Sequence, residues 1–187
     1  MRVTKNLAYL AGAAEDAHLD MNKKRGYQFD LESKSKRWIS EGLMSKLASE
    51  CCAVAITERR GYYRIRVCDK ALVTALNEIK RKPHIILSAS PTAQLSWVRG
   101  FIDAEGSITV NGSKQPMVSI YNNELGKLQI VETVLQKFGI HVHFYKPKDR
   151  KVWQQYLTGR KNLQKLLDSV GLEHPDKREK LMTILAL

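Results

Sequence analysis

Apolar positions in this chain switch repeatedly between two periods. Leu7, Leu10, Ala11 and Ala14 recur at helical spacing, and Thr4 or Asn6 can cap the start. Leu19 and Met21 then alternate with polar residues. Asn22-Lys23-Lys24-Arg25-Gly26 makes a turn, and Tyr27, Phe29 and Leu31 alternate again, which predicts a hairpin. Helical spacing returns over residues 34–49 through Trp38, Ile39, Leu43, Met44 and Leu47. A second hairpin is predicted from residues 53–57 and 62–67, around Glu58-Arg59-Arg60-Gly61. Asp69 caps a helix through Leu72, Leu76 and Ile79, and Pro83 ends it.

The same series then runs again. Ser90-Pro91 starts a helix whose apolar face is Leu95, Val98, Phe101 and Ile102. It closes in Glu105-Gly106, and a hairpin over 106–121 follows, with a turn at Asn111-Gly112-Ser113-Lys114. A helix over 123–138 stops at Gly139. Strands over 140–145 and 152–157 flank Lys146-Pro147-Lys148-Asp149-Arg150-Lys151. Helices over 160–170 and from about 176 to 187 complete the chain.

Residues 1–82 and 91–187 thus read as two αββαββα halves, with 83–90 as a linker. Placing Asp16 on Glu105, an offset of 89, puts Leu19 on Ile108, Met21 on Val110, Phe29 on Val118 and Leu31 on Ile120 without a gap. An offset of 91 places Ile39 on Ile130, Leu43 on Val134, Leu72 on Leu163 and Leu76 on Leu167. The chain is read as an internal duplication.

The first helix admits two registers. With Gly12 on Gly100, the acid position falls on Ala17 and the first half lacks its carboxylate. With Asp16 on Glu105, Ala11 takes the place of Gly100. The downstream hairpin favours the second register, because a one-residue slip inverts every strand side chain. Gly100 costs its helix ~1 kcal/mol relative to Ala, which implies a close approach of another backbone. Helices 7–16 and 91–105 are therefore expected to pack at Ala11 and Gly100. Each ends in a carboxylate, where the helix dipole disfavours negative charge, so a cation is expected nearby.

Composition narrows the functional class. A hydrophobic fraction of 43% over 187 residues allows a real core. No run of about 18 apolar residues marks a membrane span. The N-terminal stretch does not resemble a signal peptide. Cys51, Cys52 and Cys68 form no disulfide framework or zinc spacing, as expected of an intracellular, reducing compartment. A formal net charge of +12 favours a polyanionic partner. That charge sits on the hairpin turns: Lys23, Lys24 and Arg25; Arg59 and Arg60; Lys114; and Lys146, Lys148, Arg150 and Lys151. Alternation adds outward polar positions at Gln28, Asp30, Arg64, Arg66, Ser119 and Gln154. Turn cations suit phosphates, and strand side chains suit base edges in a groove.

The stretch Val98-Arg99-Gly100-Phe101-Ile102-Asp103-Ala104-Glu105-Gly106 resembles the LAGLIDADG motif of homing endonucleases, with Glu105 in the place of the catalytic acid. With the duplication, the whole chain is similar to a single-chain, two-motif form of that family. The resemblance implies an α+β fold of two pseudo-symmetric halves. The motif helices would pack at the centre, and two antiparallel sheets would form a DNA-binding saddle. It implies that Asp16 and Glu105 meet as ligands of Mg²⁺, or of another divalent cation such as Mn²⁺. It further implies a monomer that cuts both strands of a long asymmetric DNA site across the minor groove, leaving short 3′ overhangs. Polar or basic groups are expected around the attacking water: Lys34 in the first half, Asn122 and Asn123 in the second. Ala17 stands where the family has Gly, which is expected to strain the turn. Glu15 and Asp103 are expected to be solvated or structural. The competing reading is a nucleic-acid-binding protein without cleavage, such as an RNA maturase of the same fold. The register that puts Ala17 in the acid position, and the absence of a second-half lysine, favour that alternative.

Overall fold

The computed structural model describes residues 2–22, 26–51, 53–110, 115–146, 148 and 151–186. Among the expected DNA contacts, Lys23, Lys24, Arg25, Lys114 and Arg150 lie outside the described residues.

Two buried helices cross at the centre. The first, α1 (Lys5–Ala13), is capped by Thr4, whose Oγ1 accepts from Leu7 N at 3.0 Å. It continues as a 3₁₀ turn, Ala14–Asp16. Ser90 caps the second motif helix, which takes the label α4 in chain order (Pro91–Glu105), with Pro91 in its first turn. The contact is at Gly12, not at Ala11 as expected. A Cβ on Gly12 would lie 2.1 Å from Trp97 O, and one on Gly100 would lie 2.1 Å from Tyr9 O. These approaches are reciprocal, so the helices are related by the Gly12-on-Gly100 register.

The hairpins that follow are related by the other register. Strands β1 (His18–Asn22) and β2 (Gly26–Ser33) pair Leu19 with Phe29. Strands β5 (Gly106–Val110) and β6 (Pro116–Asn122) pair Ile108 with Val118. Asp16 therefore does correspond to Glu105. The two registers, which the sequence sets against each other, hold in succession. The first half has one residue fewer between helix and strand, and its 3₁₀ turn absorbs the difference. Three residues of 3₁₀ helix advance about 6 Å, as do four of α-helix. Ala17 is not strained, since its φ of −100° is ordinary extended backbone. Gly106 is different, because a Cβ there would meet Ile102 O at 2.3 Å.

Each half completes a four-stranded antiparallel sheet. The first has the order β1-β2-β4-β3, with β3 (Val54–Arg59) and β4 (Tyr62–Val67). The second has the order β5-β6-β8-β7, with β7 (His143–Tyr145) and β8 (Trp153–Thr158). Pairing of Phe29 with Val67 and of Val118 with Leu157 puts β4 on β8 at an offset of 90, not 91. Val73 thus corresponds to Leu163 and Leu76 to Leu166, all four fully buried. Adjacent apolar residues in both helices hid the one-residue difference.

Three elements depart from the sequence pattern. β7 is shorter than 140–145, because buried Ile140 completes the cap of α5 (Leu125–Gln136), its N–H donating to Leu135 O past Gly139 at φ +66°. The helix over 34–49 opens into a π-helical stretch, Trp38–Leu43, before α2 (Met44–Glu50). The wider turn lets Trp38 Nε1 donate to Tyr9 OH at 2.8 Å. The segment read as a linker holds a 3₁₀ turn, Pro83–Ser88, with Ile86 buried. The remaining helices are α3 (Lys70–Arg81), α6 (Arg160–Ser169) and α7 (Pro175–Ala186). No helix among the described residues is long and apolar enough to cross a membrane.

Candidate catalytic centre and nucleic-acid face

The motif helices deliver Asp16 and Glu105 to the same place. The last carbonyls of any helix lack internal partners and carry the negative end of its dipole. Here each set is met by a lysine from another element. Lys80 of α3 donates through Nζ to Ala14 O at 2.6 Å and to Glu15 O and Ala17 O at 3.2 Å. Lys177 of α7 donates to Asp103 O at 2.5 Å, Ile102 O at 3.2 Å and Ala104 O at 3.4 Å. The sequence reading missed both lysines, since nothing local separates them from ordinary surface lysines.

The charges in this cluster act on one another. Burial and then the Asp16 carboxylate push the Glu105 carboxyl up to about 7, with Lys177 and Lys80 opposing. Burial also raises Asp16, against the same two lysines. Burial pulls the Lys177 ammonium down to about 8, opposed by Asp103, Asp16 and Glu105. Like charges held together in a partly dry site produce this pattern.

The side chains of the other acids of the two motif helices are buried and held by partners rather than solvated. Glu15 accepts from Lys127 Nζ of α5 at 2.8 Å, a buried ion pair that joins the halves. Asp103, 1% exposed, accepts through Oδ2 from Tyr9 OH at 2.8 Å and from Glu173 N at 3.0 Å. Burial lifts its carboxyl to about 6, against those hydrogen bonds and the charge of Lys177.

Asp16 and Glu105 accept no hydrogen bond from another described residue, and no group of three or more metal-ligating side chains surrounds them among the described residues. Two carboxylates close enough for Asp16 to raise Glu105, with no donor to either among the described residues, suit a hard divalent cation. Mg²⁺ takes one or two carboxylates, keeps several waters and shares substrate phosphates.

Lys34 and Asn122 each contact a group other than the two acids. Lys34 Nζ lies 5.4 Å from the centroid of the Tyr62 ring, at the exposed end of β4. Asn122 is buried, and its Oδ1 accepts from Glu124 N at 2.8 Å in the turn after β6. Among the described residues, Lys177 and Lys80 lower the carboxyls of both acids.

The outward faces of both sheets are polar. Gln28, Arg59, Arg64 and Arg66 share the face opposite the buried Phe29, Leu31, Ile65 and Val67. Asp30 lies on that face but is only 6% exposed and cannot act as a free contact. Its carboxylate accepts Nε and Nη2 from both Arg64 (3.1 and 2.8 Å) and Arg66 (2.7 and 3.1 Å). Burial works against the charge, yet the Arg66 and Arg64 hydrogen bonds hold it below the usual carboxylate range. On the second sheet Gln154 Nε2 donates to Ser119 Oγ at 3.0 Å, and Ser119, 1% exposed, cannot act as a free contact either. Arg60 and Gly61 form the β3–β4 turn with φ of 54° and 76°. Lys146 lies 4.6 Å over the Trp153 ring, and Lys148 and Lys151 are exposed.

Residues 92–171 match the LAGLIDADG-like domain family. The chain is 28% identical over 194 residues to homing endonuclease I-ApeI of Aeropyrum pernix, an alignment covering 96% of this chain and 86% of that one. Its structure superposes on I-DmoI in complex with DNA and Ca with a TM-score of 0.72 at 19% identity, over 98% of this chain and 100% of that one. The N-terminal LAGLIDADG domain of DUF199/WhiA gives a TM-score of 0.66 at 17% identity, over 96% and 86%. The second half thus resembles the LAGLIDADG-like domain family, and the chain as a whole, with its crossed motif helices and paired four-stranded sheets, has the LAGLIDADG fold.

Proposed function

We propose that this chain is a homing endonuclease that hydrolyses both strands of a specific double-stranded DNA site with a divalent cation, Mg²⁺ or Mn²⁺. The observation that carries the reading is the Asp16–Glu105 pair, delivered by two crossed helices whose C-terminal carbonyls are each neutralised by a lysine. The two outward strand faces supply the duplex contacts. Asp16 and Glu105 would hold the cation, which would supply an activated water and stabilise the leaving oxygen of each phosphodiester. Lys80 and Lys177 hold the two helix ends in place and temper the repulsion between the acids. The relatedness to I-ApeI and the fold shared with DNA-bound I-DmoI support the same reading. Action as a monomer, a long asymmetric target and short 3′ overhangs belong to this proposal. The hairpin pairing that matches Asp16 with Glu105 speaks against the Ala17 register, which favoured a non-cleaving protein.

The test is selection of cleaved duplexes from a randomised DNA library in Mg²⁺, repeated with EDTA. Asp16→Asn and Glu105→Gln should each abolish double-strand cleavage while retaining binding in Ca²⁺. Each keeps the side-chain size and removes a charge that a metal ligand needs. Specific binding with no divalent-dependent cutting by the unmodified protein would reject cleavage and favour the non-cleaving reading.

A further inference from the structure

We propose that Arg64 and Gln154 read different bases at matching positions of the two half-sites: guanine on the Arg64 side, with a second guanine beside it for Arg66, and adenine on the Gln154 side. The inference rests on the duplex-binding reading above and adds the bases it selects.

The two residues are structural equivalents. Glu32 pairs with Arg64 on the first sheet, and Tyr121 pairs with Gln154 on the second. The neighbouring rows, Asp30 with Arg66 and Ser119 with Tyr156, correspond in the same way. His18 and Ser107, two residues beyond Asp16 and Glu105, lie in these rows. The equivalent side chains therefore sit at equal remove from the two acids, on opposite sides of the site.

Their free hydrogen-bonding groups differ. A guanidinium has five N–H groups. Asp30 takes Nε and Nη2 of both arginines, so each is fixed with Nη1 and one Nη2 hydrogen free. The side chains of Arg64 and Arg66 remain 36% and 41% exposed, while that of Asp30 is 6% exposed. What they present is an edge of donors only. In the major groove guanine alone offers two adjacent acceptors, O6 and N7. Gln154 commits one Nε2 hydrogen to Ser119 and keeps Oε1 and the other hydrogen. That is one acceptor beside one donor, the complement of adenine N6 and N7. Asp30 is a positioning residue here, since it is covered by the arginines it orients.

The experiment uses Glu105→Gln as a binding-only background and selects bound duplexes from a randomised library in Ca²⁺. Sequencing should show two guanines in one half-site and adenine at the matching place in the other. Arg64→Gln should move the preference at a single position from guanine to adenine. Asp30→Asn should reduce guanine discrimination at both positions about tenfold, the scale of one bidentate contact. A stability role alone would leave the base preference unchanged. Bound duplexes with no enrichment at these positions, or an unaltered preference in Arg64→Gln, would overturn the inference while leaving duplex binding intact. Failure to bind any duplex would overturn both.

Discussion

Gly12 and Gly100 face each other across the crossing of the motif helices, each within reach of the other helix's backbone. The atoms that a Cβ would strike are the carbonyls Trp97 O and Tyr9 O, at 2.1 Å in both cases. Backbone cannot swing aside as a flexible side chain can, so the helices would have to separate. Gly12→Ala and Gly100→Ala should each cost about 3 kcal/mol, at the upper end for overpacked cores. Ala11→Gly should cost only about 1 kcal/mol, as lost helix propensity. Denaturant unfolding of the three variants checks the order. Equal effects would reject the Gly12 contact.

Stability without divalent cation should fall as pH rises through neutrality. The Glu105 carboxyl sits near 7 in the folded chain against an ordinary value near 4.5. A raised folded-state pKa means that folding takes up a proton. Its contribution is complete below about pH 4.5 and lost as pH rises through 7. Asp103, near 6, acts in the same direction. The loss should be on the order of 2 kcal/mol, discounted for the partial exposure of Glu105. Glu105→Gln, or added Mg²⁺, should flatten the upper part of the slope. Unfolding measured from about pH 5 to about pH 8, with and without EDTA, reads this directly, and a flat wild-type profile would contradict it.

Lys177→Met should shift the pH profile of cleavage to higher pH. Lys177 is the largest charge opposing the upward shift of Glu105, so its loss makes Glu105 harder to ionise. Three helix carbonyls also lose their donor, a cost of about 2 kcal/mol. The profile separates the two effects, because destabilisation alone lowers the rate without moving the midpoint. Lys80→Met should shift it the same way, by less.

Arg60 holds φ at 54°, a conformation suited to Gly or Asn. Arg60→Asn should raise stability by about 0.5–1 kcal/mol, by relieving part of the left-handed penalty. It should also weaken DNA binding and lower the salt slope of log K by about 1, through loss of one phosphate contact. Thermal melts and binding titrations across salt concentrations test both halves. Tighter binding by this variant would rule out a phosphate role for the turn.

The Glu15–Lys127 pair should behave unlike the exposed ion pairs of Arg37 with Glu41 and Glu179. Both of its side chains are nearly solvent-free, at 3% and 4% exposure. Glu15→Gln leaves an ammonium buried with only Glu124 as partner, and should cost about 3–5 kcal/mol. Glu179→Gln should cost under about 1 kcal/mol. Equal losses in chemical denaturation would mean that water reaches the inner pair.

The sequence by itself determined what is local. Alternation placed the strands, and Thr4, Asp69 and Ser90 marked helix starts that the structure keeps. The repeat of helix and hairpin signals pointed to two similar halves and favoured Asp16 over Ala17 as the counterpart of Glu105. Those features depend on neighbours along the chain, where side-chain period and capping chemistry are directly written. The tertiary structure decided what depends on distance. Two registers coexist because a 3₁₀ turn makes up for one missing residue, and no apolar pattern encodes helical pitch at that scale. Lys80 and Lys177 come from elements that do not correspond in the two halves, so the repeat could not point to them. Asp30 alternates outward like a contact residue, yet two arginines from the neighbouring strand saturate it. A carboxylate seeks cations in three dimensions, and which cations reach it is settled only when the strands pair.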